Sequence, residues 1–270
     1  MAFTSEMYSY FDTYFDHLDP APDYRVFMRL LDTPPYGGGT ALANSFMLSR
    51  GPLGKDEVYG ESPKSTFVHE LLHQWTGSLS GGPIDTNWFS EGLTTYFEYT
   101  LPFRAGHISV EEYVDGLNEL SRKYYTGRAR DWPISDIKKV GFGDDDIRHV
   151  PYQRGALYFA DLDSRLRKGS GSQYGLHHFL SPLLKARESG ELDLTTEAWS
   201  KAVSDVLGDD ELAFVRSLHT DGETFFPAPD SFGRCVIGER TVLERNGESF
   251  EGMRWVPVPG MAPESCFHDD

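Results

Sequence analysis

Two histidines four positions apart, His69 and His73, flank a glutamate in the stretch His69-Glu70-Leu71-Leu72-His73-Gln74-Trp75. On a helix, residues at i and i+4 lie one turn apart on the same face, so both imidazoles can reach a single metal ion. A glutamate beside the first histidine can take a proton from a water held by that ion. The alternative is a pair of surface histidines on an amphipathic helix, and only partners elsewhere in the chain distinguish the two.

The helix that must carry the motif is legible. Val68, Leu71, Leu72 and Trp75 fall at i, i+3, i+4 and i+7, which predicts a buried stripe with the histidines at its edge. Ser62-Pro63 predicts its start and Gly77 its stop. A second helix is predicted over residues 87–98, with Asn87 as cap and Pro102 as terminator. It sets Glu91, Thr94, Thr95 and Glu98 on one face. A carboxylate buried on this aromatic helix needs a partner, and a metal would be one. Gly92, directly after Glu91, would let two helices approach closely around an ion.

The remaining elements follow from periodicity and breakers. Residues 5–18 carry aromatic side chains at helical spacing and predict a surface helix packed on the core, broken by the prolines of 20–22. Residues 24–31 predict a strand, 34–39 a proline- and glycine-rich loop, and 40–48 an edge strand bordering a cleft. A glycine run beside a strand either lets a ligand backbone approach closely or serves as a flexible connection. Residues 109–125 predict an acidic helix capped by Ser109, with Glu111 and Glu112 in its first turn. Residues 127–149 read as an irregular excursion. Its run Asp144-Asp145-Asp146 lacks the spacing of a calcium loop and reads as a solvated turn. A helix over 151–168 and two or three more over 174–220 complete the helical part. From 226 the chain turns to short apolar runs among proline and glycine, a β-type or irregular extension. The division expected is therefore 1–225 and 226–270.

Composition narrows the function classes. With 42 acidic against 25 basic residues, the formal net charge is -17, which argues against nucleic acid and anionic membrane surfaces as partners. No apolar run approaches the length that spans a bilayer. The amino-terminal residues have neither a basic start nor an apolar core, so no signal peptide is expected; a cytoplasmic setting is the default and a secreted or periplasmic one stays open. The two cysteines, Cys235 and Cys266, are either free thiols or a disulfide closing a tail loop.

Three motifs in order carry a resemblance. His69-Glu70-Leu71-Leu72-His73-Gln74-Trp75-Thr76-Gly77 is followed by Trp88-Phe89-Ser90-Glu91-Gly92-Leu93-Thr94, with Glu91 18 residues past His73, and then by Val150-Pro151-Tyr152-Gln153-Arg154-Gly155. Together they resemble the gluzincin aminopeptidases, typified by aminopeptidase N and leukotriene hydrolase. Leu101-Pro102-Phe103-Arg104-Ala105-Gly106 and the Tyr-Gln-Arg-Gly form are similar to the glycyl aminopeptidase branch. The resemblance covers roughly residues 20–210. It implies an α+β, mainly α fold: a thermolysin-like zincin catalytic domain with a helical C-terminal part. It implies Zn2+ held by His69, His73 and Glu91, with Glu70 as general base, Tyr152 as donor to the oxyanion, and a peptide or protein substrate. Glu98 is a candidate acceptor for a ligand histidine, against the reading of an exposed helix glutamate.

The chain departs from the family pattern in three ways. The loop between His73 and Glu91 is one residue shorter than in aminopeptidase N. In the segment matching G-x-M-E-N, Thr40-Ala41-Leu42-Ala43-Asn44, Asn44 aligns as a substrate-binding residue. Ala43, however, stands where the family has the glutamate that holds the substrate's amino group. The family's large amino-terminal β domain has no counterpart, so a catalytic fragment or a minimal member is expected. The functions left open are aminopeptidase-like hydrolysis, cleavage of internal bonds, hydrolysis of a non-peptide substrate, and a catalytically silent binding module.

Overall fold

A computed structural model describes residues 2–16, 23–33, 38–51, 63–169, 174–261 and 265–267. The expected break at 20–22, the 34–37 part of the glycine loop and the Ser62 cap lie outside the described residues. Two compact units are present, Met1–Gly77 and Ser78–Asp270. The described residues are mainly helical with few strands, and none of their helices is long and apolar enough to cross a membrane.

The first unit contains helix α1 (Ala2–Tyr14), strands β1 (Arg25–Leu30), β2 (Gly39–Leu42) and β3 (Ser45–Arg50), and helix α2 (Pro63–Thr76). The sheet order is β1-β3-β2, with β1 parallel and β2 antiparallel to β3. The stripe predicted for α2 is buried: Val68, Leu71, Leu72 and Trp75 are all at most 2% exposed. Trp75 is enclosed by the rings of Tyr8, Phe11 and Phe15. Phe46 of β3 meets Phe67 of α2 edge-on. The ring wall fixes the roll of α2 about its axis, and with it the direction in which the histidines point. Gly77, at φ 63, takes the left-handed conformation that ends a helix at no steric penalty.

One expectation for this unit changes. The single strand over 40–48 is a hairpin, β2 and β3, turning at Ala43-Asn44 with Asn44 at φ 52. Asparagine tolerates that region better than other non-glycine residues, so the turn needs no glycine. The strand over 24–31 forms, but Phe27, Met28 and Leu30 are exposed and only Val26 is half-buried.

The second unit holds α3 (Pro83–Arg104), α4 (Val110–Tyr125), α5 (Ile134–Val140), a 3-10 turn (Gly141–Gly143), α6 (Asp145–Arg148), α7 (Val150–Gly169), α8 (Leu176–Glu188), α9 (Thr196–Leu207), α10 (Glu211–His219) and the hairpin β4 (Val236–Arg245)–β5 (Glu248–Pro257). Helix α7 is buried nearly all round, which marks it as the core helix of the unit. It crosses α3 where two glycines meet: a Cβ built on Gly92 lies 2.5 Å from the Gly155 Cα. Buried Asp163 of α7 accepts hydrogen bonds from the Tyr96 hydroxyl (2.8 Å), Arg167 Nε (3.0 Å) and the Leu176 amide (2.6 Å), tying α3, α7 and α8 together. Burial alone would raise its carboxyl; Arg167, Arg104 and these donors outweigh it and hold the pKa below the ordinary value.

Helix α3 is longer than predicted at both ends. Gly82 is its cap, Pro83 sits in its first turn, and Asn87 lies inside it. Pro102 does not terminate it either. A proline in the last turn removes only one N–H bond, and Leu101, Pro102 and Phe103 are buried, so their packing offsets that loss. The excursion at 127–149 contains α5, the 3-10 turn and α6, segments too short for a hydrophobic period to show. Its aspartates are engaged: Asp144 caps α6 and pairs with Arg128, Asp145 pairs with Arg148, and Asp146 with Arg245. The Ser109–Glu112 capping box of α4 is present as expected. The extension from 226 includes the β4–β5 hairpin, held to α4 by Asn118, which exchanges two hydrogen bonds with the Trp255 backbone. Cys235 and Cys266 form a disulfide, settling that alternative.

Candidate metal centre

Helix α2 presents His69 and His73 half-buried, with ring centroids 5.0 Å apart and the rings edge to face. Glu70 is 7% exposed. Helix α3 presents Glu91, also half-buried, one residue before the Gly92 crossing. Each of His69, His73 and Glu91 offers one ligand atom, and these atoms lie within 4.8 Å of one another. Among the described residues they are the group of three such side chains that could hold a metal ion.

The donor set fits zinc. Two imidazoles and one carboxylate are a known three-ligand set for that ion, with bonds of about 2.0–2.2 Å, and three protein ligands leave a fourth position for water or substrate. A closed structural site would supply four. Glu70 is not one of the three; it follows His69 directly in sequence.

The other expected residues are placed as follows. Tyr152 is the third residue of α7, half-buried, its ring 5.1 Å from that of His149. Gly155, which abuts Gly92, follows it by less than one turn, so the same glycine crossing sets the helix segments bearing Glu91 and Tyr152. Asn44 is exposed in the β2–β3 turn, where its Oδ1 accepts a hydrogen bond from Gln74 Nε2 of α2 (3.2 Å). Ala43 beside it is exposed and carries no charge. Glu98 is half-buried on α3, which departs from a fully exposed helix glutamate.

Two residues near Glu70 escape a reading of the sequence. Tyr24 precedes β1, and its phenol pKa is raised, first by burial and then by the charge of Glu70 and by Tyr8. Gly39 begins β2, and a Cβ built there overlaps Glu70 Cγ, Cδ and Oε1. The glycine run beside the strand was the available signal. What comes close to it is the Glu70 side chain.

The family model of the M61 glycyl aminopeptidases matches residues 83–138, a stretch that takes in α3 and α4 and runs into α5. Leucine aminopeptidase 2 of Aspergillus fumigatus is 27% identical over 171 residues, 60% of this chain and 26% of that protein. Leucine aminopeptidase 2 of Sclerotinia sclerotiorum is 23% identical over 207 residues, 72% of this chain and 32% of that protein. A crystal structure of an aminopeptidase N family protein from Idiomarina loihiensis matches with a TM-score of 0.66 at 17% identity, covering 92% of this chain and 47% of that one. The chain is similar to gluzincin aminopeptidases. Its mainly helical fold is that of an aminopeptidase N family structure. This gluzincin aminopeptidase-like chain spans about a quarter to a third of the length of these leucine aminopeptidases, and about half of the matched structure.

Proposed function

We propose that this chain is the catalytic portion of a zinc-dependent peptidase that hydrolyses peptide bonds, with a thermolysin-like zincin arrangement. The observation that carries the reading is the gathering of His69, His73 and Glu91 ligand atoms within 4.8 Å, with Glu70 adjacent in sequence and buried. When bound there, zinc supplies Lewis-acid chemistry, lowering the pKa of water toward about 7 and polarising a carbonyl oxygen.

The chain's own residues do the rest. Glu70 accepts the proton of the attacking water and hands it to the leaving amine, as a positioned general base and then acid. Tyr152 donates its phenolic hydrogen to the oxygen on which negative charge develops. His69 and His73 supply neutral nitrogen donors, and Glu91 one negative charge. Asn44, held toward α2 by Gln74, offers its amide to the substrate backbone. The relatives are named leucine aminopeptidases. That favours removal of an amino-terminal residue over non-peptide hydrolysis or a silent module.

The test is one peptide in two forms, with a free and an acetylated amino terminus, assayed with and without a zinc chelator. Zinc-dependent cleavage of the free form alone is the expected result. Cleavage of the acetylated form at internal bonds would replace the aminopeptidase reading with an endopeptidase one. Hydrolysis of neither would contradict the proposal.

A further inference from the structure

The residue that leaves room for Glu70 lies 31 positions upstream, on a strand. Gly39 is half-buried at the start of β2, paired across the hairpin with Leu48. Its φ is outside the left-handed region, so the backbone there is one an alanine can adopt. What an alanine lacks is space. The three nearest atoms to a built Cβ are Cγ, Cδ and Oε1 of Glu70, and all three lie at overlapping distance. None of the three belongs to backbone. Glu70 in turn is nearly fully buried, and Val68, Leu71 and Leu72 on both sides of it are fixed in the core. The helix cannot roll away, and the strand is anchored by its ladder to β3.

We propose that Gly39 is a positioning residue: the side chain it lacks is the space in which the Glu70 carboxylate is held. The inference rests on the reading of Glu70 as general base. A methyl group at position 39 acts on the far end of one flexible side chain, so the carboxylate yields and the fold stays. A displacement of about 1 Å at a reacting group lowers turnover on the order of 100-fold. The three atoms nearest a Cβ at 39 all belong to Glu70 and none to His69, His73 or Glu91, so zinc content is expected to persist.

The experiment is a double-mutant cycle on the full chain, with Gly39→Ala, Glu70→Asp and the two combined. Each variant is read by kcat, KM, zinc content and thermal midpoint. Gly39→Ala is expected to keep full zinc and a near-unchanged midpoint, to lose kcat about 100-fold, and to leave KM little changed. Glu70→Asp withdraws the carboxylate by one methylene. In the wild-type background it lowers kcat; in the Gly39→Ala background it relieves the overlap, so the second loss is absent or reversed. A crystal structure of Gly39→Ala should find the Glu70 carboxylate displaced, independent of any assay. Additive effects, an unmoved Glu70, or a Gly39→Ala variant that loses its thermal transition would each overturn the inference. A wild-type chain with bound zinc but no hydrolysis would overturn the reading of Glu70 as base, and the inference with it. A wild-type chain that turns over while Gly39→Ala matches it overturns the inference alone.

Discussion

In the first unit Gly39 leaves its space to a side chain; in the second, Gly92 and Gly155 leave theirs to backbone. The three atoms nearest a Cβ on Gly39 all belong to the Glu70 side chain, whereas one on Gly155 overlaps the Trp88 carbonyl oxygen and lies 2.8 Å from the Gly92 Cα. The chemical consequences differ. A side chain can swing away while the fold persists, so the strand–helix contact in Met1–Gly77 would tune the proposed base. Two helix backbones have no rotamer to change, so the α3–α7 crossing fixes the scaffold that carries Glu91 and Tyr152. The surroundings agree with this division. Around the crossing the second unit is densely packed, and buried Arg154, 1% exposed, donates to the carbonyls of Leu218, Arg130 and Trp132.

Substitutions that separate chemistry from folding test this difference between the two glycine contacts. The largest effect is expected for Glu70→Gln, which keeps size and donor set and removes the base. Turnover should fall by about 100- to 10,000-fold with zinc content unchanged. Steady-state kinetics beside metal analysis checks this, and wild-type turnover in that variant would show Glu70 is not the base.

Gly155→Ala should act oppositely. Overpacking against backbone is expected to lower stability by about 3 kcal/mol, visible as an earlier urea midpoint, and any loss of activity should follow the unfolded fraction. Wild-type stability would mean that the α3–α7 crossing is not tight.

The most gradual effect is expected on acidification. His219 stacks on Trp88 at 4.3 Å and neither of its ring nitrogens has a hydrogen-bond partner; burial first, then Arg154, holds its pKa well below the ordinary 6.5. Burial also lowers His177 to about 3, helped by His178 and Arg104 and opposed by Asp163. Above about pH 6.5 both histidines are neutral in either state and the native state keeps its full stability. As pH falls below that, the unfolded chain takes up protons the folded unit refuses. Stability therefore declines by up to about 1.4 kcal/mol per pH unit for each histidine, until about pH 3 for His177. Thermal midpoints between pH 7 and 5 measure it. Replacing His219 by Phe should flatten the slope, and an unchanged slope would exclude that histidine as its source.

The parts of this molecule legible in its sequence are those that repeat with a period or carry a motif. The α2 stripe was visible because Val68, Leu71, Leu72 and Trp75 keep helical spacing, and the trio His69, His73 and Glu91 because each donor lies in a motif. Pro102 misled because a proline reads as a stop, while in the last turn of a buried helix its one lost bond is outweighed by packing. The turn at Ala43-Asn44 was hidden inside an apolar run. The short helices of 134–148 have too few turns to show a face. Gly39 against Glu70 and Gly92 against Gly155 are long-range approaches of backbone. In each pair the sequence shows a glycine; what fills the vacant Cβ position depends on the fold.

The central claim is that His69, His73 and Glu91 form one zinc site that serves hydrolysis. Its most direct test is the zinc content of the purified chain, measured with peptide hydrolysis before chelation, after it, and after zinc is restored. One zinc per chain, with activity that is lost on chelation and returns with the metal, is the result predicted. A chain that binds no zinc, or hydrolysis that survives its complete removal, would contradict the account.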